Sequence, residues 1–535
     1  MNKKNKLILI AIFLLSFILR FYKLGINPPS LYWDEVSLGY NAYSILKTGK
    51  DEFGRFMPLD AFVAFGDYKP VGYIYATIIP IAIFGLNEFS VRFASALAGV
   101  FMVFLTYFLV KKLLNDEKIS LVASFLMCVS PWSLQLSRAA FEANLAAFFN
   151  LLGIYFFIKG IKEKGFWLIF SSIGFVLSFY TFNSNRILAP IFILILFAVY
   201  TKEIIAVKKY AVISFILGLV LMAPVVSYFS SRESRLRFNE VNIFSDLNTV
   251  VQANDRINLD GGSRLAKIIH HRFVGHAFNY LKHYFDNFSA KFLFISGDGN
   301  PRLSIQSVGE LYLWELPFFL YGLFILLAGI KDKNKLFLLL WFFAAPIPAA
   351  TARETPHALR IVSILPVPQI ICAIGFIGIY NFFNNTNKRK IFTYAAGLLF
   401  ILNFSYYLYN YYVVFPKKWA GEWVDGYKQA VSYVSENYNS YDQIFFTNYY
   451  GRPYIYFLFY LKYDPQKYNS LVARTRDWYG NWQVLGFDKF RFGDNLTESP
   501  GSLVFVPKGS TINGMSKIDK ISGNSGLIYY DVYAK

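Results

Sequence analysis

The sequence predicts an α-helical polytopic membrane protein that carries a small water-exposed α/β domain after residue 415. Three observations predict it. Of 535 residues, 55% are hydrophobic and only 16% charged, the apolar residues gather in runs of membrane-spanning length, and the composition changes near residue 415. Soluble domains are roughly 45–50% apolar and about 25% charged. A chain with 57 Phe and 39 Tyr cannot cover itself with polar surface. A soluble enzyme, a disordered scaffold and a collagen-like fibre are excluded on composition alone.

The first apolar run, residues 7–19, follows Lys3, Lys4 and Lys6. No small-residue cleavage site follows it, so it reads as an uncleaved first span rather than a signal peptide. Further segments of about spanning length lie near 89–110, 119–136, 141–158, 166–182, 187–200, 210–229, 311–330, 336–350, 361–383 and 391–411. Every second connection is basic: Lys111-Lys112, Lys159 to Lys164, Lys202 to Lys209, Lys331 to Lys335, and Lys388-Arg389-Lys390. Placing those five inside predicts about eleven spans, an inside N-terminus and an outside C-terminus. Arg20 and Lys23, on the outer side of the first span, run against that order.

The net charge of +19 follows the same division. After Phe415 there are 14 basic and 11 acidic residues, so the surplus belongs to the membrane part and not to a nucleic-acid site. Residues 71–86 are apolar too, but counting them as a span would move all five basic connections outside. They are expected to lie along or re-enter the outer face. That leaves an outer loop over 25–88, in which Val36, Tyr40, Tyr43 and Leu46 share one face of an interfacial helix. A second long outer loop covers 230–310. The domains expected are therefore 1–414, the membrane part, and 415–535. In the latter a helix at 431–436 and strands at 443–447 and 503–506 point to an α/β fold. Cys128 and Cys372 sit in apolar runs and read as small buried side chains.

Ionisable residues recur at one outer level. Asp34 and Glu35 open the interfacial helix, where capping and catalysis are both open readings. Lys69 precedes Pro70, as an interfacial anchor or a point charge on a lipid phosphate. Arg138 and Glu142 are four apart, as a helical surface pair or as functional charges at a membrane edge. Arg186, His357 and Arg360 stand at the same level. Together they describe a cleft of acids and cations suited to an anionic lipid. His270, His271, His276 and His283 are expected to be solvated or locally satisfied rather than metal ligands. A lipid or glycan transporter is the alternative, but it would call for ionisable groups near mid-bilayer.

Trp33-Asp34-Glu35, Lys69-Pro70-Val71-Gly72-Tyr73-Ile74-Tyr75 and Glu88-Phe89-Ser90-Val91-Arg92, with Ser137–Glu142 and Pro356–Arg360, stand in the order of a known family. The chain resembles glycosyltransferase family 39 over about residues 7–410. These are bacterial relatives of the protein O-mannosyltransferases, in the GT-C class, and include transferases of aminoarabinose or galacturonic acid. The resemblance implies a multi-pass bacterial-type plasma-membrane enzyme. It would move a sugar with inversion from a polyprenyl-phosphate donor to a lipid, glycan or protein hydroxyl outside the membrane. It implies Asp34 as base, Glu142 as its assistant, and Lys69, Arg138 and Arg360 on the donor phosphate. Glu35, Arg186 and His357 would support them. No cofactor is certain. Asp34, Glu35 and Glu142 are oxygen ligands of the kind that hold magnesium or manganese, and the sequence leaves a metal open.

Overall fold

The computed structural model describes residues 2–229, 242–477, 482–494 and 499–535. The start of the predicted 230–310 loop, residues 230–241, lies outside the described residues. In chain order the elements that matter here begin with α1 (Lys3–Phe21), α2 (Trp33–Thr48), β1 (Phe62–Ala64), β2 (Asp67–Lys69) and α3 (Gly72–Phe84). Then come α4 (Glu88–Leu114), α5 (Glu117–Val129), α6 (Pro131–Ser137) and α7 (Glu142–Lys162). The chain packs as two compact units. One, here the helical unit, contains Met1–Arg20, Ala98–Leu136 and Glu142–Tyr407; the other, the mixed unit, contains Phe21–Leu97, Ser137–Phe141 and Leu408–Lys535.

Among the described residues, six helices are long and apolar enough to cross a membrane, and α5 with α6, bent by 52°, makes a seventh. The other predicted segments beyond the first span include shorter apolar helices, Trp167–Phe179, Asn185–Val199 and Leu313–Ala328. The predicted segment at 71–86 becomes α3, whose 13 residues rise about 20 Å, against roughly 30 Å of hydrocarbon core.

The bend between α5 and α6 explains Arg20. Pro131 has no N–H, so the carbonyl of Met127 four residues earlier loses its helical donor. Arg20 supplies donors instead: Nη2 to Met127 O at 3.3 Å and Nη1 to Cys128 O at 3.2 Å. Its hydrogen bonds to Ser16 Oγ at 2.9 Å and Ser133 Oγ at 2.8 Å hold the fork in place. The next carbonyl, Val129 O, accepts from Tyr312 Oη at 2.8 Å. Arg20 is fully buried, so its charge serves the break in the helix and says nothing of membrane sidedness. Elsewhere in this unit Gly322 and Gly375 face each other's helix backbones, leaving no room for a Cβ on either. Small residues permit that close approach.

In the mixed unit the tail forms a seven-stranded sheet in the order β4-β5-β6-β3-β7-β9-β8. Its strands are β3 (Gln443–Phe446), β4 (Ala473–Arg476), β5 (Trp482–Phe487), β6 (Phe490–Phe492), β7 (Ser502–Pro507), β8 (Ser516–Ser522) and β9 (Ile528–Ala534). The two strands expected from sequence are β3 and β7, parallel neighbours with Ile444 opposite Leu503. Strand β3 also runs parallel to β6, and the remaining pairs are antiparallel.

The first outer loop belongs to this same unit. Helix α2 is not the one-faced interfacial helix its apolar spacing suggests. Residues Glu35 to Ala42 are all buried, whereas Leu46 is exposed. The reason is tertiary. Gly39 packs against Phe459 and Val91, Tyr40 Oη donates to Tyr463 O at 3.1 Å, and Tyr456 Oη donates to Leu31 O at 3.1 Å.

Replacing Arg20 by Met is expected to orphan the carbonyls at the α5–α6 break, at about 1–3 kcal/mol for each group left unsatisfied. A fall in the thermal midpoint of the purified protein, measured against wild type, checks this.

Candidate functional site

In the mixed unit the N-terminus of α2 is built around a buried charge. Tyr32 is the N-cap, in extended conformation, and Glu35 is the third helical residue. Glu35 Oε2 accepts the Tyr32 N–H at 3.0 Å, so Glu35, and not Asp34, caps the helix. The same carboxylate meets Arg92 two-pronged: Nε to Oε1 at 2.9 Å and Nη2 to Oε2 at 3.1 Å. Both side chains are at most 2% exposed. Arg92 also donates to Leu24 O at 3.2 Å, Pro28 O at 2.8 Å and Ser30 O at 2.5 Å. Glu35 Oε1 accepts the Ala140 N–H at 2.8 Å as well. One ion pair thus joins α2, the first turns of α4, the strand-like stretch before α2 and the turn at 138–140.

With Glu35 turned inward, Asp34 turns outward, since neighbours on a helix point about 100° apart. Asp34 Oδ1 is ion-paired with Lys69 Nζ, and the two side chains are 40% and 15% exposed. Lys69 reaches it from the end of β2, where the two-stranded ribbon pairs Phe62 with Lys69. The structure therefore brings together the expected base and the nearest expected cation.

Arg138 stands differently from expectation. Helix α6 ends at Ser137 and α7 begins at Glu142, so Arg138 and Glu142 do not share a helix. The Arg138 guanidinium is buried. It donates to Tyr411 Oη at 2.9 Å, Tyr22 O at 2.8 Å and Asn27 O at 3.0 Å, and lies over the Tyr411 and Tyr412 rings.

The other expected residues lie in the helical unit. Glu142 is in the first turn of α7. Arg186 opens the helix Asn185–Val199 and stacks on Phe179 at 5.8 Å and Tyr228 at 4.8 Å. His357 Nδ1 is 3.9 Å from Asp298 Oδ2. Asp298 in turn accepts the backbone N–H of Ala358 at 2.7 Å and of Asn300 at 2.8 Å. Burial lowers the His357 imidazole to about 3 and raises the Asp298 carboxyl to about 6, so His357 is neutral at physiological pH. Glu310, fully buried, is held well above the usual carboxylate range by burial and by Asp298. Arg360 N–H donates to His357 O at 3.2 Å.

Sequence reasoning passed over Asp298 and Glu310, which fall in the long 230–310 connection, and quoted Arg92 only as part of a motif. The spacing of Ser296-Gly297-Asp298-Gly299-Asn300-Pro301, a turn-rich run ahead of an acidic residue, was the available signal. Of the four histidines, His270 meets Asp260 at 2.5 Å, His271 accepts from Phe273 N–H at 3.3 Å and His283 meets Ala352 O at 2.8 Å. Among the described residues no three His, Cys, Asp or Glu side chains converge as metal ligands. Glu35 is already held by Arg92 and Asp34 is paired with Lys69.

Residues 10–233 match the family described as Dolichyl-phosphate-mannose-protein mannosyltransferase. The resemblance read from the motifs is borne out, and the chain is a multi-pass integral membrane protein. An undecaprenyl phosphate-alpha-4-amino-4-deoxy-L-arabinose arabinosyl transferase of Pseudomonas fluorescens is 27% identical over 210 residues, 38% of this chain and 37% of the relative. A putative mannosyltransferase, YkcB, of Bacillus subtilis is 30% identical over 160 residues, 30% of this chain and 22% of the relative. The matches thus span between about a fifth and little more than a third of these curated relatives. The fold is similar to ArnT from Cupriavidus metallidurans bound to undecaprenyl phosphate, with a TM-score of 0.51 at 12% identity, over 100% of this chain and 98% of the other. It is also similar to the Archaeoglobus fulgidus oligosaccharyltransferase, with a TM-score of 0.52 at 13% identity, over 86% of this chain and 63% of that one.

Two predictions follow from these geometries. Glu35→Gln leaves the Arg92 charge buried and uncompensated, which costs about 3–5 kcal/mol. The folded yield and thermal midpoint are expected to fall, while turnover per folded molecule holds; unchanged stability would contradict the arrangement.

Glu52 supplies the second. It is fully buried, accepting from Tyr454 Oη and Asn41 Nδ2, both at 3.0 Å. Burial raises its carboxyl from 4.5 to about 7. A carboxyl raised on folding contributes stability that is present below its unfolded value and lost as pH rises through the folded one. Stability of wild type is therefore expected to decline between pH 4.5 and 7, and Glu52→Gln to flatten that decline in denaturation midpoints measured across the range.

Proposed function

We propose that the protein is an integral-membrane glycosyltransferase that moves a sugar, with inversion, from a polyprenyl-phosphate donor to an acceptor hydroxyl on the extracytoplasmic face. The observation that carries this reading is the half-exposed Asp34 carboxylate paired with Lys69 inside a stretch that matches the mannosyltransferase family. Asp34 takes the acceptor's proton as its oxygen bonds to the anomeric carbon. The bond from that carbon to the phosphate oxygen breaks on the opposite side, and its electron pair leaves with the lipid phosphate. General-base help of this kind contributes typically about 10²–10⁴-fold. Lys69 orients the carboxylate and supplies positive charge against the negative charge that develops on the leaving phosphate.

Arg360 is retained as a second phosphate ligand and Glu142 as the residue that orients the acceptor, with His357 a neutral partner. Arg138 is reassigned as a positioning residue, because its donors already go to Tyr22, Asn27 and Tyr411. A lipid-borne donor also needs a place for its tail. The helical unit offers an apolar cavity of about 160 Å³ between the helices Trp167–Phe179, Asn185–Val199 and Lys208–Phe229, lined by Phe157, Phe175, Phe179, Phe197 and Met222 among others. The hydroxyls of Ser171, Ser172 and Ser214 on its wall are all spent on backbone carbonyls. Arg186, stacked on Phe179, puts a charge beside it.

The topology proposed with this activity has about eleven crossings, an inside N-terminus, α3 not crossing, and the 230–310 loop and the tail outside. An impermeant thiol reagent applied to intact cells is expected to reach a cysteine placed at Ser440 and to miss one at Asn334. The reverse pattern would sink the orientation.

The activity itself is tested by incubating the purified protein with a panel of radiolabelled polyprenyl-phosphate sugars. Consumption is expected with wild type. Asp34→Asn should lower turnover by roughly two orders of magnitude or more at normal folded yield. Lys69→Ala should raise the donor KM or lower kcat. A fully active Asp34→Asn protein would overturn the assignment, as a transporter would tolerate that change.

A further inference from the structure

The tail contributes no motif to the family resemblance, yet it is seated on the residues beside Asp34. Asn448 to Gly451 form a turn closed by the Gly451 N–H on Asn448 O at 2.9 Å. Gly451 has φ +119°, and a Cβ there would lie 2.5 Å from Cζ3 of Trp33, the residue before Asp34. Only glycine lets the turn sit so close in that conformation. The next residue, Arg452, lies 5.1 Å over the ring of Phe65, in the turn between β1 and β2 that leads to Lys69. The turn therefore touches both arms that carry the Asp34–Lys69 pair.

It is also stiff. Asp494 Oδ1 accepts the Thr447 hydroxyl at 2.5 Å and the Asn448 N–H at 3.0 Å. Tyr449 N–H donates to Thr447 Oγ1 at 3.0 Å. Tyr450 is spent on packing, its hydroxyl on Tyr529 O at 3.1 Å and its ring against Tyr529 and Tyr530. Tyr449 is not. It stands 69% exposed on a turn fixed from four sides, with the half-buried Tyr32 and Trp33 rings, 4.0 Å apart, under the same turn.

We propose that this turn is the acceptor-recognition element of the site and that Tyr449 is its specificity residue, presenting a ring face to a carbohydrate acceptor. The proposal rests on the transferase reading and narrows its acceptor to a sugar hydroxyl. Aromatic side chains with a polar tip give a flat apolar face and a hydrogen-bonding edge together. A pyranose has the matching pair, a C–H face and a rim of hydroxyls. A long-chain alcohol would want continuous apolar surface. Here the turn that carries the ring is instead polar, built with Thr447, Asn448 and Asp494 and followed by Arg452.

The experiment uses the full-length protein with whichever donor the panel above identifies. The acceptors are the methyl glycosides of glucose, mannose and N-acetylglucosamine, n-octanol, and a blocked Ser-Gly dipeptide. Wild type is expected to glycosylate a methyl glycoside in preference to the other two. Tyr449→Ala should raise the KM for that glycoside roughly tenfold, a loss of about 1.4 kcal/mol of binding, with donor KM unchanged and kcat within about threefold. Tyr449→Phe, which keeps the ring, should behave as wild type. An unchanged acceptor KM in Tyr449→Ala, a Tyr449→Phe protein as impaired as Tyr449→Ala, or preference for octanol or the dipeptide would each overturn the proposal. Saturation-transfer NMR with the same glycosides separates the two readings. If no donor is consumed, the transferase reading fails. Glycoside signals lost only in Tyr449→Ala would still support the ring platform, and equal signals in both proteins would end it.

Discussion

The buried Glu35–Arg92 ion pair is the constraint from which the arrangement of the mixed unit follows. Two charges taken out of water must be matched to each other and have their remaining donors and acceptors filled. Here they are: three backbone carbonyls take the rest of the Arg92 guanidinium, and the Tyr32 and Ala140 N–H groups share the carboxylate. Those partners come from the stretch 24–32 and from the turn at 138–140, and the two charges stand on α2 and α4, so satisfying one pair of charges fixes where these pieces of chain lie. It also decides the direction of Asp34. With its neighbour committed inward, the adjacent carboxylate is left facing outward, where Lys69 meets it.

A second consequence is that the tail and the first outer loop are one structure. The tail's helix Pro453–Tyr460 is buried on nearly every residue, and it lends hydroxyls to Leu31 O and to Glu52. Tyr427 and Tyr456 stack at 4.0 Å with planes 7° apart behind it. The high tyrosine content of the chain, which in the sequence reads only as membrane affinity, is partly spent here. Tyr456 packs its apolar face while its hydroxyl closes a hydrogen bond to a backbone carbonyl that a loop would otherwise leave unsatisfied.

Arg20 and Arg138 show how a charge near a membrane edge can serve the backbone and not a ligand. Arg20 fills carbonyls opened by Pro131 in the α5–α6 bend. Arg138 holds carbonyls of Tyr22 and Asn27 and the hydroxyl of Tyr411, a residue 273 positions away. Guanidinium suits both tasks because its five donors lie in a fixed planar fork. As sequence, each had an obvious functional or topological meaning; as structure, each is bound to its own chain.

The sequence by itself determined the membrane character, the order of the helical segments, the strands β3 and β7, and the residue types at positions 34 and 69. These depend on composition and on short-range periodicity, which a single chain displays openly. Only the tertiary structure decided that Glu35 caps α2 and is buried, that α2 is covered on most of its circumference, and that Arg138 lies in a turn ahead of the helix that Glu142 opens. It also decided that the tail reaches the Asp34 helix. The physical reason is common to all four. Burial of a charge or a helix face is set by partners tens to hundreds of residues away, and the local pattern of hydrophobic and polar residues carries no record of which distant group will arrive.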